Sequence, residues 1–553
     1  MYAFFCSSSF GQELSLKING KTELESKIID SLDYERRFRD FKELIKEKDK
    51  VKTQLFKLGF IENREISSNK SNDSTYLVSF SLNTRFKSID IYYSKEIVSR
   101  KMISTISEDV YDDYFSIPFH SVESKLEFIN TQLANQGTPF RTLQLMNIER
   151  KTDDTLKADL IVSEESIRTI DKIVVNGYEK FPRSFLKRYL KINRNEEFNL
   201  TEVKTKTEEL NELTFASQIK SPEVLFTKDS TTLYIYLEKR TSNTFDGFLG
   251  FGTNETTNKI EFDGYLNLNL INNLNFGETL QLRYKSDEID QKTFNAQVEL
   301  PYLFGSPIGT QLELNIFKKD SSFSTTNQIA KIFYQLNSKS KVYGGISSTQ
   351  SNDLLNGMST TLFDDYDSLF YNLSFSYVSR EKFEELFPIN FFFDSEIGFG
   401  NRTVNDLRMN QSNIIFDTYK IFNLNQTNSI YLRSNGSFLF SDDYLFNELF
   451  RFGGINSIRG FEENSLFASL YALLNTEYRH KLSNNIYINS IIDAAYYEND
   501  LQGIKEKLFG FGFGIGILTN SGLLKLNYAN GKNENQKFNI SNSKVHISLK
   551  ATF

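Results

Sequence analysis

From about residue 241 to the last residue, the chain repeats short segments in which apolar and polar residues alternate. In ETLQLRYK, Leu280, Leu282 and Tyr284 share one face and the polar residues between them share the other. Side chains on a β-strand point alternately to its two faces, so each segment predicts a strand with one apolar face. There are about sixteen such segments of roughly 9 to 13 residues, the length with which a tilted strand crosses a bilayer.

A sheet of such strands fits two architectures. A soluble sandwich buries the apolar face, whereas a membrane barrel turns it toward lipid and closes so that every backbone group is hydrogen-bonded. The number and length of the segments favour the barrel. The chain is 39% hydrophobic, and its 51 Phe and 28 Tyr can form interfacial girdles although Trp is absent. We therefore predict an all-β transmembrane barrel of about 16 antiparallel strands over residues 241–553.

Residues 13–240 mix helical and strand patterns in a recurring order. Apolar residues at helical spacing in FKELIKEKDKVKTQLFKLGF and SVESKLEFINTQLANQG stop at Gly59 and Gly137, a residue type that favours helix ends. Segments rich in β-branched and aromatic residues, such as STYLVSF and TLYIYLEKR, predict strands. The recurrence predicts three α+β modules at 13–95, 96–166 and 167–240.

Residues 1–12, MYAFFCSSSFGQ, begin with a short apolar patch and end in small residues. They lack the basic start and full apolar core of a signal peptide, so we interpret them as the remnant of one whose start lies upstream. Two alternatives stay open: Cys6 carries a lipid, or the segment is an uninformative leader.

Charge and rare residue types exclude several functional classes. The net charge of −7 argues against a nucleic-acid binder, whose surface would be basic. A single cysteine excludes an internal disulfide framework, and the three histidines are far apart and lie in no HExxH pattern. We therefore predict no metal site, no cofactor and no enzymatic activity.

The stretch RFGGINSIRGFEEN belongs to a polar run between two strand-like segments. At about 24 residues, the connection 441–464 is long for a compact fold, which indicates a functional loop. Gly453 and Gly454 are hinges at which the backbone can turn tightly. In a barrel of this size the loop can fold into the lumen, where Arg459 would need a carboxylate.

The alternation of side chains along a later strand predicts which carboxylate this is. In NIYINSIIDAAYY, Asp493 lies on the polar face, opposite to Ile488 and Ile492. Because the polar face should line the lumen, we predict a bidentate ion pair between Arg459 and Asp493. The alternative is an exposed arginine on a surface loop.

RFGGINSIRGF resembles the (V/I)RG(F/Y) motif in the sixth extracellular loop of the BamA, TamA and FhaC superfamily of barrels. The matching residues are Ile458, Arg459, Gly460 and Phe461. IIDAAYY resembles the lumen-facing aspartate motif of that family, although Ile491 and Ala495 stand where Phe and Gly are commoner.

Other segments extend the resemblance along the chain. GFGFGIGILTNSGLLKLNYA is similar to the family's glycine-rich fourteenth strand and the hairpin after it. KVHISLKATF, which ends on Phe553, resembles its terminal strand. The three amino-terminal modules resemble POTRA domains, for which an apolar strand entering an Asn-Gly turn, here 173–177, is typical.

The resemblance implies periplasmic POTRA modules, a barrel in the bacterial outer membrane, and a protein that inserts or translocates other polypeptides. POTRA sheet edges would capture unfolded outer-membrane or secreted clients by β-augmentation. Accessory periplasmic or lipoprotein subunits are further implied partners. Clients would fold at a seam between the first and last barrel strands. The seam residues are Phe248, Gly250 and Gly252 on one strand and Val545, Ile547, Leu549 and Phe553 on the other.

The main alternative is a two-partner secretion transporter resembling FhaC, which exports a client through the lumen. Such transporters usually carry two POTRA domains and a plug helix, whereas this sequence predicts three modules and no plug helix. A passive porin needs neither the modules nor the arginine loop. A phospholipase barrel needs a Ser/His pair, for which the histidines have no suitable serine context.

Overall fold

The computed structural model describes residues 13–253, 260–286, 291–320, 322–355, 364–381, 384–519, 522–535 and 543–552. Of residues 248–253, 260–263 and 547–552 it describes the backbone alone. Cys6, the rest of the leader and Phe553 lie outside these ranges. The chain divides into two compact units, one of Met1–Ile170 with Asn195–Glu202 and one of Asp171–Arg194 with Val203–Phe553.

The first unit contains two mixed sheets with helices. The first sheet, ordered β2-β1-β4-β3, and its helices comprise β1 (Leu14–Gly20), α1 (Glu23–Asp30), β2 (Arg37–Phe38), α2 (Phe41–Lys57), β3 (Arg64–Lys70) and β4 (Thr75–Ser81). Helix α1 begins where sequence chemistry places it, because Thr22 and Glu25 form a reciprocal capping box. Asp40 caps the start of helix α2, because its carboxylate accepts from the Glu43 amide.

The second sheet is ordered β6-β7-β5-β9-β8. Its elements are β5 (Ser88–Tyr92), α3 (Arg100–Ile106), β6 (Asp109–Val110), β7 (Tyr114–Pro118), α4 (Val122–Ala134), β8 (Leu143–Arg150) and β9 (Thr155–Val162). Strand β5 pairs with β7 and β9, not with β4. The expected boundary at residue 95 is therefore wrong, because the first sheet ends at Ser81 and the second begins at Ser88.

A third sheet, ordered β10-β12-β11, belongs to the second unit. It consists of β10 (Lys172–Asn176), β11 (Ala216–Phe226) and β12 (Thr231–Lys239), with a π-helical turn at Phe185–Tyr189 and helix α5 (Leu200–Glu208) between the first two strands. Gly177 follows β10 at φ 88°, in the left-handed conformation that suits the expected Asn-Gly turn.

Sixteen of the other described strands form one closed antiparallel barrel, which confirms the predicted fold class. The wall strands are β13 (Thr244–Thr253), β14 (Ile260–Ile271), β15 (Thr279–Ser286), β16 (Gln291–Leu300), β17 (Ile308–Lys319), β18 (Phe323–Asn337), β19 (Ser340–Asp353), β20 (Tyr366–Arg380), β21 (Ile389–Val404), β22 (Leu407–Asn423), β23 (Asn428–Phe440), β26 (Leu470–Lys481), β27 (Ile486–Asn499), β28 (Ile504–Thr519), β29 (Gly522–Asn533) and β30 (Ser543–Thr552). Two short strands, β24 (Phe450–Phe452) and β25 (Leu466–Ala468), form a hairpin within the long connection between β23 and β26.

The two faces of the wall differ as the alternation predicts. Large apolar side chains such as Tyr371, Phe399 and Phe513 lie on the outer face and are more than 60% exposed. Polar side chains such as Asn475, Asn489 and Asp493 lie on the inner face and are buried. This is the distribution of a barrel whose outer surface contacts lipid. Among the described residues, no helix has both the length and the apolar character to cross a bilayer.

The third sheet's module contacts the barrel turns at one end, called here the module end. The Asn272 amide donates to the Tyr178 hydroxyl at 2.7 Å, and the Phe185 and Tyr302 rings pack edge to face with centroids 5.0 Å apart. Glu212 pairs with Lys339 at 3.2 Å and accepts from the Arg380 backbone amide at 3.1 Å. These contacts fasten the module to several neighbouring turns.

Candidate functional site

Arg459 and Asp493 meet inside the barrel. The Arg459 Nε donates to Asp493 Oδ2 at 2.8 Å, and its Nη2 donates to Oδ1 at 2.6 Å. The backbone amide of Arg459 also donates to Oδ2, at 3.0 Å. The two side chains are 5% and 1% exposed as residues. The contact is therefore a buried bidentate ion pair reinforced by the loop backbone.

A second carboxylate, which the sequence reasoning missed, completes the site. Arg459 Nη1 donates to Glu477 on β26, and the other oxygen of Glu477 accepts from Arg479 Nε at 2.7 Å. Glu477 is 8% exposed. The parity rule that selected Asp493 also places Glu477 and Arg479 on the inner face of the adjacent strand. Applied to β26, it would have found both residues.

The charge of Arg459 is strongly favoured in this environment. Burial lowers the pKa of its guanidinium, but the hydrogen bond to Asp493 and the charges of Glu477 and Asp493 raise that pKa by more. The net result is a pKa above the ordinary value for arginine. The side chain is thus a permanent cation held between two carboxylates.

The backbone of the loop is shaped by the predicted hinges. Gly453, Gly454 and Gly460 have φ of 111°, 94° and 91°, values that residues with a Cβ atom rarely adopt. Between them, Ile458 is fully buried in an apolar cluster that includes Phe452 and Leu473. The Ile-Arg-Gly segment thus inserts one apolar and one charged side chain into the lumen wall.

Two glycines of the wall allow the loop to approach. The position of a Cβ atom on Gly510 would be 2.4 Å from the Arg459 carbonyl oxygen, and one on Gly531 would be 2.6 Å from the Gly460 carbonyl oxygen. The other glycines of the β28 face serve different neighbours. Gly514 faces Asn527 and Asn489, and Gly516 faces the Tyr487 ring. The loop therefore contacts only part of the glycine-rich face of β28.

The first arm of the loop is anchored to the wall at other strands, several positions around the barrel from β27. Asn447 donates to Ser351 Oγ at 2.9 Å and to the Asp364 carbonyl at 2.9 Å. Glu448 forms an ion pair with Arg402 and accepts from Gln411 Nε2 at 3.0 Å. Burial raises the pKa of Glu448 above its ordinary value, while Gln411 and Arg402 lower it by less. The loop is therefore held at two separate polar anchors on the inner wall.

The barrel seam lies between β13 and β30, the two strands that carry the expected seam residues. Over the described backbone, these strands pair only through Thr244 with Thr552 and Phe245 with Ala551. On the edges away from the seam, Phe248, Gly250 and Gly252 pair with β14, and Val545, Ile547 and Leu549 pair with β29. A role for these residues in client folding stays a prediction. Glycines in β13 supply no side chains to pack across a ladder, which weakens a strand at its edge. Phe553 lies outside the described residues.

The arrangement holds a loop in place and leaves a strand edge open. Among the described residues, no group of three or more His, Cys, Asp or Glu side chains is placed to bind a metal ion. The sixteen-stranded wall, the amino-terminal α+β sheets and the arginine loop inside the lumen give the architecture that the sequence resemblance to the BamA, TamA and FhaC barrels implies.

Two solved structures have this fold, and a third is similar at a lower TM-score. CdiB from Escherichia coli is 12% identical, with 90% of this chain and 96% of that chain covered and a TM-score of 0.54. CdiB from Acinetobacter baumannii is 14% identical, with 85% of this chain and 90% of that chain covered and a TM-score of 0.53. BamA from Haemophilus ducreyi lacking POTRA domains 1–3 is 15% identical, with 84% of this chain and 99% of that chain covered and a TM-score of 0.49.

No protein-family model and no curated protein sequence matches the chain. The chain has the fold of the two CdiB barrels, and the similarity to them extends through most of its length.

Proposed function

We propose that this protein is a bacterial outer-membrane factor that captures unfolded client polypeptides on its amino-terminal modules and folds or inserts them at the barrel seam. The modules would lie in the periplasm. The proposal covers clients destined for the outer membrane, and it assigns no catalytic step to the protein.

The short seam carries this proposal. Strand β13 pairs with β14 through ten residue pairs but with β30 through two, among the described residues. Over that described backbone, the remaining edge of β13 has N–H and C=O groups without a strand partner across the seam. Such an edge can pair with an incoming strand, as in other cases of strand addition.

The modules and the loop supply the other requirements. The modules' sheets have edge strands, β3 and β8 among them, that can add an extended client segment. The arginine loop fixes β26 and β27 from inside, so this part of the wall stays intact when the seam opens. We assign Arg459, Asp493 and Glu477 to positioning the loop.

A reversible seam lock tests the proposal. With Cys6 replaced by Ser, Phe245→Cys and Ala551→Cys place two thiols on directly opposite residues, where antiparallel strands are close enough for a disulfide. The oxidised protein should lose client insertion into vesicles and regain it on reduction. A matched control is Ile346→Cys with Tyr371→Cys, an opposite pair on β19 and β20.

The outcomes separate insertion from export through the lumen. Loss of insertion with the seam locked, but not with the control pair locked, supports the seam mechanism. Full insertion with the seam locked would contradict it. Undiminished export of a secreted client through the locked barrel would favour the secretion transporter instead.

A further inference from the structure

In the connection between β20 and β21, the described residues 384–388 pack against the barrel. Within its described residues 384–388, Leu386 is only 4% exposed. Glu384 forms an ion pair with Lys481, and the Phe387 and Tyr487 rings pack edge to face with centroids 4.8 Å apart. A surface turn of this composition would normally leave its apolar residues exposed or packed on adjacent strands.

The partners of this segment lie on the inner wall. Tyr487 shares the face of Asp493, and Lys481 shares the face of Glu477, because each pair is separated by an even number of residues on one strand. In the barrel, β22 and β23 lie between β21 and β26. At a strand spacing of about 4.8 Å, the segment therefore reaches roughly 15 Å around the wall, inside the module end of the lumen.

Arg479 links this segment to the loop site. Its guanidinium carbon lies 4.6 Å from the centre of the Phe387 ring and 4.0 Å from that of Tyr431, distances typical of cation–π contacts. The same side chain donates to Glu477, the second carboxylate of Arg459. One continuous set of charges thus connects the loop, which enters the lumen from the far end, with the segment at the module end.

The root of the segment is in contact with the third module. The Arg380 amide, at the end of β20, donates to Glu212 of that module at 3.1 Å. This hydrogen bond links the module to the strand end that precedes residues 384–388.

We propose that residues 384–388 form a latch that closes part of the lumen at the module end and must detach before a polypeptide or a large solute can pass. The Glu384–Lys481 ion pair fastens the latch, and the Phe387 ring, held between Arg479 and Tyr487, seats it. The latch is distinct from the arginine loop and does not depend on where clients are inserted.

Conductance of the full-length chain in a planar bilayer tests the latch. Glu384→Lys places a third cation beside Lys481 and Arg479, so it should expel the segment and raise the mean single-channel conductance severalfold. Phe387→Ala should raise it through loss of the ring contacts. The matched control is Glu385→Lys, which makes the same charge change at the exposed neighbouring residue and should leave conductance unchanged.

A charge swap distinguishes detachment of the latch from a folding defect. Glu384→Lys combined with Lys481→Glu restores an ion pair and should conduct less than either single variant, with all variants showing the heat-dependent gel shift of a folded barrel. Unchanged conductance in both Glu384→Lys and Phe387→Ala would overturn the latch. So would an equal rise in Glu385→Lys, or a double variant that conducts as much as the single ones.

Discussion

The carbonyl oxygen of Arg459 lies 2.4 Å from the point that a Cβ atom on Gly510 would occupy. The loop and the wall are therefore in contact through backbone, and the ion pair to Asp493 forms only because that contact is allowed. Substitution of Gly510 on β28 therefore tests the position of the loop directly.

Gly510→Ala should displace the loop. The added methyl group meets a backbone atom, which cannot rotate away as a side chain can, so Arg459 has to withdraw from Asp493. We expect faster protease cleavage between residues 453 and 465 and lower client insertion in a barrel that still folds. Gly344→Ala on β19, where nothing lies within 4 Å of the added atom, is the control. Equal cleavage rates in the two variants would contradict the packing described.

Arg459→Ala should release the loop without unfolding the barrel. It leaves the carboxylates of Asp493 and Glu477 buried without their cation, and breaking a buried pair typically costs about 3–5 kcal/mol. This cost weakens the attachment of the loop to the wall, whereas the hydrogen bonds between the wall strands are unaffected. We expect loss of most client insertion, with the heat-dependent gel shift retained.

Arg408→Ala, which removes an exposed arginine from the start of β22, is the control for that loss of charge. If insertion by Arg459→Ala equals that of the control while hydrogen exchange shows a mobile loop, the loop has no part in the function.

Exchanging the two charges should restore function only in part. Asp493→Arg alone sets two guanidinium groups against each other and should be inactive. Arg459→Asp added to it re-forms the pair, but the new carboxylate on the loop then faces Glu477, and two carboxylates at that distance repel. Adding Glu477→Gln removes the repulsion and should bring insertion above that of the double variant. An inactive triple variant with a normal barrel would show that position 459 requires arginine for a reason other than charge.

The alternation of apolar and polar residues predicted the features of this fold that depend on which face of a strand a residue occupies. Alternation identified the wall strands, and parity selected Asp493 as the partner for Arg459 because both rules follow from the two-residue repeat of a strand. The same repeat contains Glu477 and Arg479, which were missed because only β27 was considered.

Contacts that depend on closure could not be predicted in this way. Which residues of β13 and β30 pair is set by the stagger of the whole barrel, not by either strand's own pattern. The Glu384–Lys481 contact joins residues 97 positions apart, and nothing in EKFEELFP indicates an inward turn. The prediction that β5 belongs to the first module was wrong for a similar reason, because a strand that follows a short connection can join either sheet.

Thr244 and Phe245 begin β13, and Ala551 and Thr552 end β30, so the only described hydrogen-bonded link across the seam sits at the rim next to the third module. Separating the two strands along their full length therefore requires those two pairings to break, while every other described ladder can stay intact. The free energy of opening the wall is then set by those two pairings, and a force on the third module acts next to them.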